Sequence, residues 1–264
     1  MSKLFDSHAH YFDARFAAEF ENGADSVLPE IFSNDVEYII NVGTSNENNP
    51  ICLEMAQKYP GMYAAVGIHP EDCRDYGREE LDRFEAFLLA HRNFKKEKIV
   101  AIGEIGFDYH WEPYDKEHQA FFFEEQMKLA EKYDLPVIIH DREAHGDCFD
   151  MACKFKNVSG VFHSYSGSAE MACELVKRGW YISFSGVVTF KNASRVKEVA
   201  ASVPLDRLLV ETDCPYLAPH PMRGKLNHSG LMHYTVETLS ELFGKDYDEM
   251  AKILSDNAKK LFRI

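Results

Sequence analysis

Four histidines and two acidic residues are placed along this chain as a divalent-metal centre would need them. His8 and His10 stand two residues apart, just after Leu4 and Phe5, in a stretch that reads as a short β-strand. Alternate residues of a strand project from one face, so the two imidazoles are expected side by side. Other candidates close other apolar runs: Glu104 after Ile99–Gly103, His140 after Pro136–Ile139, His163 after Ser159–Phe162, and Asp213 just past Arg207–Glu211. Imidazole and carboxylate together suit Zn²⁺, Mn²⁺ or, less ideally, Mg²⁺. Taken singly, a histidine at a strand end is more often merely hydrogen-bonded or exposed, and an aspartate before Cys214-Pro215 can be a turn residue. The repetition at five strand ends is what favours metal. Two divalent ions about 3.5–4 Å apart can hold an attacking water and stabilise the entering and leaving oxygens of a displacement. Glu104, between two groups of donors in the chain, is the expected bridge between the ions. Asp213 is the expected general base. Asp6, two residues before His8, suits a hydrogen bond to that imidazole or a purely structural role.

The elements that must position these groups follow from the apolar pattern. Strand-like runs occur at Leu4–His10, Tyr38–Gly43, Met62–Pro70, Ile99–Glu104, Pro136–His140, Ser159–His163, Trp180–Phe184 and Arg207–Glu211. Helical patterns separate or follow them: a short one within Phe16–Ser33, then Asn49 to about Tyr59, Leu81–Leu89, Lys116–Tyr133, Cys148–Phe155, Ala169–Arg178, Val196–Ala200, Tyr234–Phe243 and Tyr247–Leu261. Short continuous apolar strands alternating with helices predict a parallel sheet covered by helices. Eight such units predict an α/β fold of the closed (β/α)8 TIM type, as a single domain over residues 1–264. No Gly-rich phosphate loop follows the first strand, which argues against an open dinucleotide-binding sheet. In a barrel the C-terminal strand ends share one rim, so residues as distant as His8 and Asp213 can meet there.

Composition narrows the class. The formal net charge of −14 argues against a broad basic nucleic-acid footprint. It leaves room for a phosphorylated substrate, because bound cations reverse the local sign. Six cysteines without a Cys-x-x-Cys read as reduced structural thiols. The sequence carries no apolar run of spanning length and no leader pattern, so a cytoplasmic protein without membrane contact is expected.

Taken together, several segments resemble the TatD family of metal-dependent deoxyribonucleases, within the amidohydrolase-like metal hydrolases. They are Asp6-Ser7-His8-Ala9-His10, Gly67-Ile68-His69-Pro70, Gly103-Glu104-Ile105-Gly106-Phe107-Asp108-Tyr109, Pro136 to Arg142, Phe162 to Gly167, Glu211 to Pro219, Arg223 to Asn227, and Asn257 to Phe262. Each piece alone is weak; the ordered set, spread over nearly the whole chain, is specific. The resemblance implies a TIM-type barrel holding two metal ions. His8, His10, Glu104 and Asp213 would hold one, and Glu104, His140 and His163 the other. It also implies hydrolysis of phosphodiester bonds in DNA, in the family often as a Mg²⁺-dependent exonuclease on single strands. This chain departs from the family where Ser164-Tyr165 replaces a common Cys-Phe, and where His228-Ser229-Gly230 replaces an acidic residue and a proline. Neither departure is at a ligand position, and both bear on substrate preference.

Weaker substrate candidates accompany the ligands. His69 could meet a phosphate or simply fix a loop. Arg142 could clamp a phosphate bidentately or pair with Asp141 or Glu143. Lys225, in a small basic island, could steer a nucleic-acid backbone. Tyr109, with His110 and Trp111, could stack on a base or pack on the rim. The expected substrate is single-stranded DNA, with RNA open, and the expected state a monomer. The competing reading is an amidohydrolase or esterase acting on a small substrate or an aminoacyl-tRNA ester, because the same metals activate carbonyls. A non-catalytic scaffold would be marked by a lost ligand, and none is lost.

Overall fold

The computed structural model describes residues 3–34 and 36–264. In chain order its main elements begin with β1 (Leu4–Ala9), α1 (Ala14–Glu19), α2 (Leu28–Asn34), β2 (Val36–Val42), α3 (Asn49–Lys58) and β3 (Met62–Val66). There follow α4 (Glu79–Ala90), α5 (Phe94–Glu97), β4 (Ile99–Asp108), α6 (Lys116–Tyr133), β5 (Val137–Arg142), α7 (His145–Lys154) and β6 (Gly160–Phe162). The chain ends with α8 (Ala169–Lys177), β7 (Tyr181–Phe184), α9 (Ser194–Ser202), β8 (Leu208–Val210), α10 (His233–Phe243) and α11 (Tyr247–Phe262). The strands follow one another in sheet order from β1 to β8. Every strand-like and helical run expected from the sequence is present, Lys116–Tyr133 with the expected ends and the others with shifted ones.

Two compact units can be described separately: Met1–Asn41 with His163–Ile264, and Val42–Phe162. In the first, β7 pairs with β8 and β1 with β2, all in parallel. The chain leaving β8 runs beside β1, where the Asp213 N–H donates to the His8 carbonyl at 2.9 Å and the His10 N–H to the Cys214 carbonyl at 2.7 Å. Phe5 packs against the rings of Tyr38 and Phe262, with centres 5.4 and 6.1 Å away, and so anchors β1 to β2 and α11. In the second unit β3, β4, β5 and β6 pair successively, again in parallel. Phe107 of β4 meets Phe123 of α6 edge to face at 5.3 Å. Local chemistry sets the helix starts. Asp13, Asp115, Ser168 and Asp246 each accept a first-turn N–H that would otherwise lack a partner.

The sheet is irregular at two places that matter for the site. Asp6 and Ala9 of β1 face Ile39 and Asn41, three steps against two. Ile102 and Ile105 of β4 face Val137 and Ile139, again three against two. Each strand therefore carries a bulge, one around Ser7-His8 and one around Gly103-Glu104. Bulges bend a strand locally and re-aim its side chains, and they concentrate beside active sites.

Candidate metal centre

The first unit gathers one set of donors. His8 Nε2 and His10 Nε2 lie 3.0 Å apart, and Asp213 Oδ1 is 3.4 Å from the latter and 3.8 Å from the former. The alternation expected for a regular strand does not produce this meeting. β1 ends at Ala9 and is bulged at His8, so His10 already belongs to the turn. Asp213 adopts a left-handed backbone with φ of 55°, which aspartate tolerates better than most residues. Burial alone would push its pKa up, but the His10 hydrogen bond and the facing imidazoles of His8 and His163 bring it below the ordinary value. An ionised carboxylate and two imidazole nitrogens aimed at one another, all three largely or wholly buried, make a donor set that a divalent ion satisfies.

His163 stacks on His8 with ring centres 4.1 Å apart. Its Nδ1 faces Oε1 of Glu211 at 3.2 Å, and that oxygen also accepts the Ser164 N–H at 2.7 Å. The other Glu211 oxygen accepts the Ser183 hydroxyl at 2.5 Å. Glu211 is fully buried. A carboxylate facing Nδ1 fixes the proton there and leaves Nε2 as the basic nitrogen, the arrangement that prepares a histidine for metal. Asp6, also fully buried, turns away from the imidazoles. It accepts the Thr212 N–H at 3.0 Å and the hydroxyls of Thr212 and Ser229 at 2.6 and 2.7 Å, so it pins the Asp213 loop against β1. Burial pushes its pKa up to about 6 despite these bonds.

A second donor set lies in the second unit. His140 Nδ1 is 2.6 Å from Glu104 Oε1, and His140 Nε2 is 2.9 Å from Asp108 Oδ2. His69 Nε2 lies 3.7 Å from the same Glu104 oxygen. With an ion on the Glu104 side, His140 would keep its proton on Nε2, donated to Asp108, and offer Nδ1 as the ligand nitrogen. Burial raises the Asp108 pKa, and the hydrogen bond and charge of His140 more than offset it. His69 is poised differently. Its Nδ1 accepts the Glu71 N–H at 3.2 Å, so a neutral His69 carries its proton on Nε2 and presents a donor there. Helix α6 braces this set. Gln119 exchanges two hydrogen bonds with the Asp108 backbone, at 3.0 and 2.9 Å. Gln126 does the same for Ile68, next to His69, at 2.7 and 3.0 Å. Side-chain amides thus continue the peptide pairing where the strands stop.

The expected ligands therefore fall into His8, His10, His163 and Asp213 in one unit, and Glu104 and His140 in the other. Two expectations about strand ends are corrected. β4 continues four residues past Glu104 and β5 two past His140, because Gly106 lets β4 lie against β5 where an added Cβ would collide with the His140 carbonyl oxygen. Asp108 and Glu211 were not foreseen as supports. Had β4 been read through its glycines, Glu104, Gly106 and Asp108 would have stood at alternate positions. Of the substrate candidates, the Arg142 guanidinium lies 5.4 Å over the ring of exposed Trp111. Its acidic neighbours are engaged elsewhere, Asp141 with His145 and Glu143 with His110. Tyr109 is used internally, stacked on Tyr114 at 4.8 Å with its hydroxyl on Asp147. Lys225 is exposed on the long segment after β8.

The family model for TatD related DNase matches residues 5–263. The chain belongs to that family. Among the TatD-like relatives, the uncharacterized metal-dependent hydrolase YabD of Bacillus subtilis is 42% identical over 263 residues, covering 99% of each chain. The corresponding hydrolase YcfH of Escherichia coli is 35% identical, over 99% of this chain and 96% of its own. The crystal structure of YjjV, a TatD homolog from Escherichia coli, superposes with a TM-score of 0.88 at 31% identity, covering 99% and 98% of the two chains. The strand order and this superposition identify the fold as the (β/α)8 TIM type. As a TatD-family member the chain is a metal-dependent hydrolase. No helix among the described residues is long and apolar enough to cross a membrane.

Proposed function

We propose that this TatD-family hydrolase cleaves phosphodiester bonds of DNA, working as an exonuclease on single-stranded ends, with residues 1–264 acting as one catalytic domain. The observation that carries the reading is the pair of histidine–carboxylate donor sets in a chain that matches a DNase family from end to end. His8, His10 and Asp213 would hold one divalent ion, His140 and His163 a second, and Glu104 would serve both. When bound, such ions would supply positive charge against the phosphoryl oxygens and ease ionisation of the attacking water.

The remaining work falls to side chains. Asp213, whose carboxyl is held below its ordinary pKa by the His10 hydrogen bond and the facing imidazoles, accepts the water's proton. His69 presents its Nε2–H to a non-bridging phosphate oxygen, a role open to a neutral imidazole that is not itself a ligand. Arg142 takes the neighbouring phosphate through its planar fork. Trp111 beneath it offers a face to a base.

The test is single-turnover degradation of end-labelled single-stranded DNA with Mg²⁺ or Mn²⁺, wild type against Asp213→Asn. A metal-dependent ladder from one end that vanishes in the variant supports the reading and fixes the polarity. Intact DNA in the presence of metal-loaded wild type sinks it, and moves the search to amides, lactones and aminoacyl esters.

A further inference from the structure

Beside the first donor set stands an aromatic shelf that the proposed mechanism leaves unused. Tyr216 follows Asp213 by three residues, and its N–H donates to the Asp213 carbonyl at 2.9 Å. Its ring centre is 6.4 Å from that of His10, yet the residue is 42% exposed. The Arg15 guanidinium lies 4.2 Å over the ring. Asp13 fixes both partners: it accepts the Tyr216 hydroxyl at 2.9 Å and lies 3.7 Å from the guanidinium. Arg15 itself stays 55% exposed. The pair is thus oriented by a carboxylate, anchored by backbone to the expected base, and open to solvent.

We propose that Arg15 and Tyr216 form a nucleobase-stacking site that seats the nucleotide adjoining the cleaved phosphodiester; this rests on the nucleic-acid reading above. Every base has a π-face, so such a shelf holds a strand without choosing its sequence. A planar guanidinium on the same shelf both stacks and brings positive charge to a polyanion. That charge matters in a chain with a formal net charge of −14. The short distance from Tyr216 to His10 then sets which phosphodiester reaches Asp213. Had the pair only tied α1 to the loop after β8, the Asp13 hydrogen bond would suffice and the ring could be covered.

The experiment measures binding of a fluorescent single-stranded oligonucleotide by anisotropy in EDTA, and cleavage of the same oligonucleotide in Mn²⁺. Wild type, Tyr216→Leu and Tyr216→Phe are compared on an oligonucleotide with a normal terminal base and on one with an abasic terminal residue. Loss of one stacked base predicts about a 5- to 150-fold weaker Kd for Tyr216→Leu. Tyr216→Phe, which keeps the ring, should recover most of it. Wild type on the abasic end should fall to the level of Tyr216→Leu, and the variant should lose little further. A merely structural tyrosine would leave the abasic effect in place in the variant, and that result overturns the proposal, as does a wild type that does not bind the strand. Base-dependent binding without cleavage in Mn²⁺ would uphold the shelf and sink the nuclease reading.

Discussion

The two donor sets use the same chemistry and are built in different ways. In the first unit His8 and His10 come from one bulged strand and its turn, His163 directly follows Phe162, and the aspartate comes from a loop held in a left-handed conformation. The supports there are acidic side chains. Asp6 pins the loop through Thr212 and Ser229, and Glu211 fixes His163. In the second unit Glu104 and His140 sit within paired strands, His69 lies just beyond β3, and the supports are mostly amides from one helix. The loop-borne Asp213 is held in place through carboxylate hydrogen bonds, whereas the strand-borne His140 combines one carboxylate partner, Asp108, with a backbone continued by amides. Strands β1 and β4 nonetheless each carry a bulge at the donor, because a regular pleat would give the side chain its neighbours' alternation and not the angle that the site uses.

The largest effects should fall on the donors themselves. Asp213→Asn is expected to slow cleavage by about 10²- to 10⁴-fold, the usual worth of a positioned proton acceptor. Elemental analysis separates the two sets. His10→Ala and His140→Ala should each lose one of two bound ions while keeping the other. If either substitution empties both positions, the two sets do not bind independently and the distinction between them collapses.

One step down are the residues that orient donors. Glu211→Gln and Asp108→Asn keep size but surrender the charge that fixes the imidazole proton, in one unit and then the other. Each should weaken metal affinity about 10- to 100-fold. Competition with a chromophoric chelator reads the change, and circular dichroism shows that the fold is intact. Equal losses would mean that charge matters as much in the amide-braced unit as in the loop-borne one. Unaltered affinity in Asp108→Asn would leave that carboxylate a packing role.

The difference between the units also explains what could be read from the sequence. His-x-His and the polar ends of apolar runs are visible because these polar residues interrupt hydrophobic strands. Asp108 and Glu211 are not, since a buried carboxylate supporting a histidine looks the same in sequence as one beginning a turn. The run expected from the sequence stops at Glu104, before Ile105-Gly106, yet β4 continues to Asp108 because Gly106 lets it approach His140 closely. Bulges leave no residue signature, so the reading that put His8 and His10 together by strict alternation reached the right neighbours through the wrong geometry. Arg15 and Tyr216 were passed over because they are distant in sequence and belong to no metal pattern.

Stability should follow the amide braces. Gln126→Leu leaves the buried N–H and carbonyl of Ile68 without their side-chain partners, at a cost of about 2 kcal/mol. Asn227→Leu in the first unit removes hydrogen bonds to the Thr212 and Tyr216 carbonyls. It also removes the Asn227 Oδ1 that accepts the His228 N–H, but that contact is only part-buried, and an acceptor left alone is better tolerated than a donor, so the smaller loss is expected there. Urea midpoints at constant slope would rank them, and the reverse order would show that the loop depends on its amide more than on Asp6.

The smallest effects are those of exposed cations, and they show which flank the strand follows. Each phosphate contact removed should lower the salt dependence of single-strand binding by about 0.7 in the slope of log K against log salt. Arg142→Ala, beside the second donor set, removes a charge held in place over Trp111 and should show the full decrement. Lys225→Ala, on the long segment after β8, removes a charge on a flexible stem. A full decrement at Lys225 would mean that the backbone runs along the first unit's loop. A decrement at Arg142 alone would place ordered phosphates beside Trp111 and leave the Lys225 segment clear of the strand.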